Sequence, residues 1–292
     1  MANILEAIAN IINNPVPDIL NYYQTISNNR INAVGDALEE YIKDAFANTI
    51  NQNNLSIRVD KHSQVFSWLG NQNNPPDLIL KNGDAIEIKK ITSLKSQIAL
   101  NSSYPKNKLF SNDLMLVTDC RNCENWVEKD IIYIIGVFKK RKLRLLWMIY
   151  GDCYAAKAEY YTRIKNKIST GINEIEGVEF SETKELGRVN KVDPLGITYL
   201  RIRGMWGIDN PMNIYDYLNL NLNDSQNNEY FQLISIIPED KYLSLLSQDQ
   251  NVLELVEDKI TIENKRIKSP NNPAQMKDVR IINHVKKQAN KT

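Results

Sequence analysis

The feature that most constrains this chain is the run Asn74-Pro75-Pro76-Asp77-Leu78-Ile79-Leu80-Lys81-Asn82-Gly83-Asp84-Ala85-Ile86-Glu87-Ile88-Lys89-Lys90. Two short apolar segments flank Asn82-Gly83, and a type I′ turn wants positive φ at both central residues, which Asn and Gly supply readily. The run therefore predicts an antiparallel hairpin whose register the turn sets. Side chains alternate faces along a strand, so Glu87 and Lys89 share one face while Ile86, Ile88 and Lys90 take the other. Asp77 has only to face that pair from the neighbouring strand.

Such a hairpin gathers two carboxylates and an ammonium into one small volume, the arrangement a magnesium-dependent phosphodiesterase needs. Asp77, Glu87 and the backbone carbonyl of Ile88 would supply hard oxygen ligands, with water and the scissile phosphate completing the shell around Mg²⁺. Lys89 would orient or deprotonate the attacking water and stabilise charge on the phosphorane. The bare Glu-x-Lys triplet carries little weight, because it recurs at Glu182-Lys184, Glu239-Lys241, Glu257-Lys259 and Glu263-Lys265. Only the copy at Glu87 stands in an alternating apolar strand behind a turn with Pro-Asp upstream. The competing reading is a solvent-facing strand with chance charges.

Around this hairpin, Ile31, Val34, Leu38, Ile42, Ala45 and Phe46 fall at helical intervals and predict an amphipathic helix over 31–50, after a looser helix near 2–12. Alternation at Ile57 and Val59, then Val65-Phe66-Ser67-Trp68-Leu69, predicts strand, followed by a polar loop. Ile131-Ile132-Tyr133-Ile134-Ile135-Gly136-Val137-Phe138 and Leu143-Arg144-Leu145-Leu146-Trp147-Met148-Ile149-Tyr150 read as central strands covered on both faces, with Lys139-Lys140-Arg141-Lys142 as their turn. Residues 155–175 read as helix, and residues 212–292 look helical in patches.

The net charge of +1 announces no polyanionic partner, but the basic residues are bunched. The tetrad at 139–142 is one cluster. Lys265, Arg266, Lys268, Lys277, Arg280, Lys286, Lys287 and Lys291, opposed only by Asp278, make another. Local fields decide what a surface attracts, so either can track phosphate, although solvated turns and tails explain such runs as well. Three cysteines form no even framework, and Cys120-x-x-Cys123 lacks a second pair, with His62 and His284 at no metal-ligand spacing to it. Glu6 interrupts the apolar opening, which has no positive region before it, so no signal peptide is expected. With no membrane-spanning run, a cytoplasmic location is expected.

Pro-Asp, nine intervening residues and Glu-x-Lys resemble the PD-(D/E)XK nuclease superfamily. Gly35-Asp36-Ala37-Leu38-Glu39-Glu40-Tyr41-Ile42-Lys43, Val65-Phe66-Ser67-Trp68-Leu69-Gly70, Asn73-Asn74-Pro75-Pro76-Asp77, Ile98-Ala99-Leu100-Asn101-Ser102-Ser103, Asp193-Pro194-Leu195-Gly196-Ile197-Thr198 and Arg203-Gly204-Met205-Trp206-Gly207 further resemble the NgoPII family of type II restriction endonucleases. The resemblance implies an α/β, restriction-endonuclease-like core, a mixed β-sheet flanked by α-helices, over residues 1–210. Residues 211–292 are then a C-terminal appendage, expected to serve dimerisation or DNA clamping. It implies Asp77, Glu87 and Lys89 as catalytic triplet and Mg²⁺ as cofactor. A glutamate from the first core helix, Glu39 with Glu40 competing, would be an extra metal or water ligand. It further implies a homodimer that cuts both strands of double-stranded DNA at a short palindrome, GGCC at family level, leaving 5′-phosphate and 3′-hydroxyl ends, paired in the cell with a cognate DNA methyltransferase. Guanine is best read by Arg or Lys in the major groove, which points to Arg188, Asn190, Lys191, Arg201 and Arg203. Lys95, Ser102, Ser103, Lys106 and Lys108 follow the catalytic strand and are candidates to clamp phosphates. The rivals are a repair or junction-resolving nuclease on the same core and a non-catalytic DNA-binding module.

Overall fold

The computed structural model describes residues 2–14, 18–26, 34–71, 74–176, 179–181, 186–220 and 230–287. Its helices are α1 (Ile4–Asn13), α2 (Ile19–Ile26), α3 (Val34–Ala47), α4 (Leu55–Val65), α5 (Thr118–Arg121), α6 (Gly151–Tyr154), α7 (Ala158–Asn173), α8 (Pro211–Ile214) and α9 (Glu239–Gln248). The strands are β1 (Phe66–Asn71), β2 (Asn74–Leu80), β3 (Ala85–Ile91), β4 (Ile98–Asn101), β5 (Lys108–Phe110), β6 (Glu128–Lys139), β7 (Lys142–Tyr150), β8 (Glu179–Ser181), β9 (Gly187–Asn190), β10 (Leu200–Ile202), β11 (Trp206–Ile208), β12 (Tyr230–Pro238), β13 (Thr261–Ser269) and β14 (Asn272–Lys287).

The two long apolar runs form the centre, because their side chains have core on both faces. Residues 131–138 of β6 and 143–150 of β7 are buried throughout. Around them runs a mixed sheet in the order β1-β2-β3-β6-β7-β12-β14-β13, with β5 also pairing β6. β3 lies parallel to β6 and β12 parallel to β7, while the remaining neighbours in this sheet are antiparallel. Two smaller sheets, β10-β9-β8 and β11-β4, stand apart from it.

Helix α3 seats on β6 at Gly136, where a Cβ would meet Leu38 Cδ2 at 2.7 Å. A side chain there would push Leu38 aside, so the glycine lets helix and strand approach closely. The expected helix over 31–50 is this one; residues 31–33 lie outside the described part of the chain. α6 and α9 pack on β6, β7, β12 and β14.

Three local readings need correction. Residues 55–65 are helical, with Asn54 capping through bonds from Ser56 N and Ile57 N. The apolar Ile57 and Val59 face solvent, while Arg58 and His62, four apart on one face, are buried. A buried polar stripe bonded to Asp44 therefore mimicked strand alternation in the sequence. Residues 230–287 contain three long strands beside the helix α9 and a 3₁₀ helix at Glu254–Lys259; β12 is buried along nearly its whole length, Gln232 and Ser235 included, which hides its strand period in the sequence. At the hairpin, φ is positive at Asn82 (54°) but not at Gly83, so the turn is not type I′. Leu80 N donates to Asp84 O at 3.0 Å and Gly83 N to Leu80 O at 2.9 Å, closing a longer loop. The two-residue turn with both φ values positive occurs instead at Lys140 (49°) and Arg141 (64°), in the basic tetrad. β12, β13 and β14 are hydrogen-bonded into the main sheet, so the sheet runs on across residue 210.

Candidate active site

β2 and β3 pair through Leu78 with Ile86 and Ile79 with Ala85, and the same register carried one residue further sets Asp77 opposite Glu87. There the ladder opens. Ile88 N donates to Asp77 Oδ2 at 2.6 Å in place of a strand partner. The N–H and C=O of one strand residue point toward the same neighbour, so the Ile88 carbonyl faces this gap as well. Lys89 Nζ lies 2.5 Å from Glu87 Oε1 on the same strand face, as the alternation predicts.

Charge and burial set the protonation of this group. Burial first, and the Glu87 charge second, push the Asp77 carboxyl up to about 7, against Lys89 and the Ile88 N–H, with Glu39 adding to the rise. Burial also raises Glu39, against Lys43 and Lys89. Burial works against the Lys89 charge, but Glu87, Asp77 and Glu39 more than offset it and hold the ammonium above its ordinary range. Three carboxylates thus crowd one ammonium, and two of them face each other across paired strands, where like charges destabilise.

That donor set fits a hard divalent cation. Mg²⁺ takes one or two carboxylates and completes its shell with water and substrate phosphate rather than with a protein cage. Among the described residues no group of three or more His, Cys, Asp or Glu side chains is gathered closely enough to hold a metal alone. Asp77, Glu87 and the Ile88 carbonyl are the atoms that could hold it.

The structure separates the competing glutamates of α3. Glu40 accepts from Lys43 at 2.8 Å and from Arg58 at 3.3 Å, on the side of α4. Glu39 is the one that interacts with Lys89 and Asp77. Its helix is locked by a network that sequence reading missed. Asp44 accepts from Tyr23 Oη at 2.6 Å, Arg58 Nη2 at 2.9 Å and Thr49 Oγ1 at 2.6 Å, and His62 Nε2 lies 2.9 Å from it. The four-residue spacing of Arg58 and His62 was the one available signal.

The phosphate-clamp candidates disperse. Lys95 is exposed after β3. Ser103 lines a cleft with Glu87, Pro76, Tyr104, Lys106 and Tyr133, whereas Ser102 lines a neighbouring one with Lys165, Gly204 and Trp206. The Lys106 ammonium is buried, paired with Asp113 and 4.1 Å over the Tyr104 ring. Lys108 is held by Glu128 at 2.8 Å and Asp130 at 3.6 Å. Tyr133, directly opposite Glu87 across β3 and β6, had no sequence signal; its hydroxyl accepts from Lys106 N at 2.7 Å.

The base-reading candidates come together. Arg188 on β9 pairs in register with Arg201 on β10, so both side chains leave one face of the small sheet. The Arg188 guanidinium stacks 3.8 Å over Tyr199, Asn190 donates to Ser181 Oγ at 2.6 Å, and Lys191 pairs with Glu179 at 2.6 Å. Arg203 is exposed just beyond β10.

No helix among the described residues is long and apolar enough to cross a membrane. A profile of the NgoPII restriction endonuclease family matches residues 2–268. The chain is 50% identical over 284 residues to the type II restriction enzyme NgoPII of Neisseria gonorrhoeae, covering 97% of this chain and 99% of that one. No solved structure matches it. The match runs through the hairpin, α3, the small sheet and most of the strands after residue 210. The chain therefore belongs to the NgoPII restriction endonuclease family, and its activity is that of a type II restriction endonuclease.

Proposed function

We propose that the chain hydrolyses both strands of duplex DNA at a short palindrome, with GGCC the family expectation, in a Mg²⁺-dependent reaction centred on Asp77, Glu87 and Lys89. The observation that carries this reading is the opened ladder at Asp77, where two carboxylates, an ammonium and the backbone of Ile88 converge. The bound Mg²⁺ would polarise the scissile phosphate and lower the pKa of water. Asp77, Glu87 and the Ile88 carbonyl would hold it, Asp77 in its deprotonated form, since only the carboxylate is a ligand.

Lys89, kept charged by its acidic neighbours, orients the attacking water and stabilises the negative charge that builds on the phosphorane. Glu39 holds a further water at the edge of the site. The reaction leaves 5′-phosphate and 3′-hydroxyl ends. Arg188, Asn190, Lys191, Arg201 and Arg203 face the bases, and Lys95, Ser102 and Ser103 the backbone. Lys106 and Lys108 act there through the groups they position, because their ammonium groups already have acidic partners.

A symmetric target is cut most simply by a C2 homodimer with one site per strand, and residues 211–292 contribute to dimerisation or clamping. The host site is protected by a methyltransferase acting alongside the enzyme in the cytoplasm. The test is a Mg²⁺-dependent digest of unmethylated plasmid and phage DNA beside Glu87→Ala, with fragment ends sequenced. Discrete fragments sharing one palindrome support the reading. A smear favours a repair or junction nuclease, and DNA bound but uncut favours a binding module.

A further inference from the structure

The loop between β9 and β10 is built to present apolar side chains to something outside the fold. Leu195 is 78% exposed and Ile197 73% exposed, and neither touches the core. Isolated exposed aliphatics are ordinary, but these two stand on a constrained hairpin tip. Asp193 organises it: its carboxylate accepts from Leu195 N at 2.9 Å, from Thr198 N at 2.7 Å and from Thr198 Oγ1. Gly196 N donates to Asp193 O at 2.9 Å, and Val192 N to Thr198 O at 3.2 Å. Gly196, between the two aliphatics, takes φ +72°, the left-handed turn that brings them to the tip together. A loop held by five internal bonds meets a partner with little ordering cost.

The surroundings select the partner. Arg188, Lys191 and Arg201 flank the loop, and Arg188 stacks on Tyr199 at the loop's base. The exposed Arg201 side chain and the Arg188 guanidinium stand beside the apolar tip, and a nucleic acid complements both, through phosphates on the arginines and base faces on the tip. Leu and Ile are among the side chains that wedge between base steps and kink a duplex.

We propose that Leu195 and Ile197 form a wedge that enters the base stack of the bound duplex beside the positions faced by Arg188 and Arg201. The inference rests on the reading of this small sheet as the DNA-facing surface. Opening a step there makes part of the specificity a matter of how easily the sequence unstacks, at positions no side chain hydrogen-bonds.

The test places 2-aminopurine or pyrrolo-cytosine singly at each position within and around the mapped target. Fluorescence is read with saturating protein and Ca²⁺ in place of Mg²⁺. Wild type is expected to raise the signal several-fold at one step per half-site, and Leu195→Ser/Ile197→Ser to leave it at the free-DNA level while still binding. Leu195→Met/Ile197→Leu should restore it. Asp193→Ala, which loosens the loop but keeps both wedge residues, should give a partial signal.

Normal cleavage with no fluorescent position, or an undiminished signal in the serine variant, overturns the wedge and leaves the restriction reading intact. A serine variant that is monomeric where wild type is dimeric, by ultracentrifugation without DNA, overturns it in favour of a protein contact. A wild-type chain that neither cuts nor retards any duplex overturns both.

Discussion

Asp77→Asn is expected to make the metal-free protein more stable while removing its activity. The Asp77 carboxyl titrates at about 7 in the fold against an ordinary 3.8, so between those values the native state holds a proton that the unfolded chain releases. A raised pKa means that this group's stabilising contribution is full below about pH 4 and is lost as pH rises through 7. At 1.36 kcal/mol per unit, the shift corresponds to about 4 kcal/mol of strain above pH 7. Asparagine keeps an oxygen for the Ile88 N–H and removes the charge, but it forfeits the attraction of Lys89 and adds an amide N–H to be satisfied. The net gain at pH 8.5 is therefore about 2–4 kcal/mol, or roughly 4–8 °C in Tm for a chain of this size.

The assay is thermal and urea unfolding of both proteins in EDTA at pH 4.5, 6, 7 and 8.5. The two curves should nearly coincide at the lowest pH and separate as pH rises. Mg²⁺ should then raise the Tm of wild type alone, because a ligand stabilises only the state that binds it. A variant less stable than wild type at pH 8.5, or a difference independent of pH, would refute the reasoning. Strain of this kind is a common cost of a preorganised site.

Three further outcomes test other parts of the structure. Glu39→Gln should lower kcat at saturating Mg²⁺ with little change in urea midpoint, whereas Glu40→Gln, which breaks contacts to Lys43 and Arg58, should do the reverse; equal kinetic effects would end the distinction. Arg58→Met leaves buried Asp44 without its guanidinium and should cost about 3–5 kcal/mol by urea unfolding, as for other broken buried pairs; a loss under about 1 kcal/mol would show that Tyr23, Thr49 and His62 suffice. Arg201→Ala should weaken target binding by about 1–3 kcal/mol per lost guanine contact and relax the site, and a uniform loss across sequences would mark it as a phosphate contact instead.

The gathering of Asp77, Glu87 and Lys89 was legible because it depends on local rules. Strand alternation puts Glu87 and Lys89 on one face whatever surrounds them, and a hairpin can return Asp77 to them from ten residues upstream. The central strands β6 and β7 were legible for a similar reason, since only full burial tolerates such unbroken apolar runs. Even the basic tetrad gave its turn away, though the type I′ geometry expected at Asn82-Gly83 turned up there instead.

What composition and spacing left undecided depends on partners distant in the chain. Helix α4 hides in the sequence because its buried face is Arg58 and His62, and those are buried only because Asp44 on another helix accepts from them. Residues after 210 do hold helical patches, at Pro211–Ile214, Glu239–Gln248 and Glu254–Lys259, but the strands between and after them become plain only when β12 lies against β7 and is buried on both faces. The choice between Glu39 and Glu40 is likewise tertiary. Adjacent residues on a helix differ by about 100° in direction, and with Lys43 and Arg58 holding Glu40 on the side of α4, Glu39 is the one whose charge bears on Asp77 and Lys89. The sequence by itself determined which side chains could do the chemistry, because period and turn are properties of a short segment. Only the tertiary structure decided which of them meet, because burial and charge belong to the neighbours that the fold brings together.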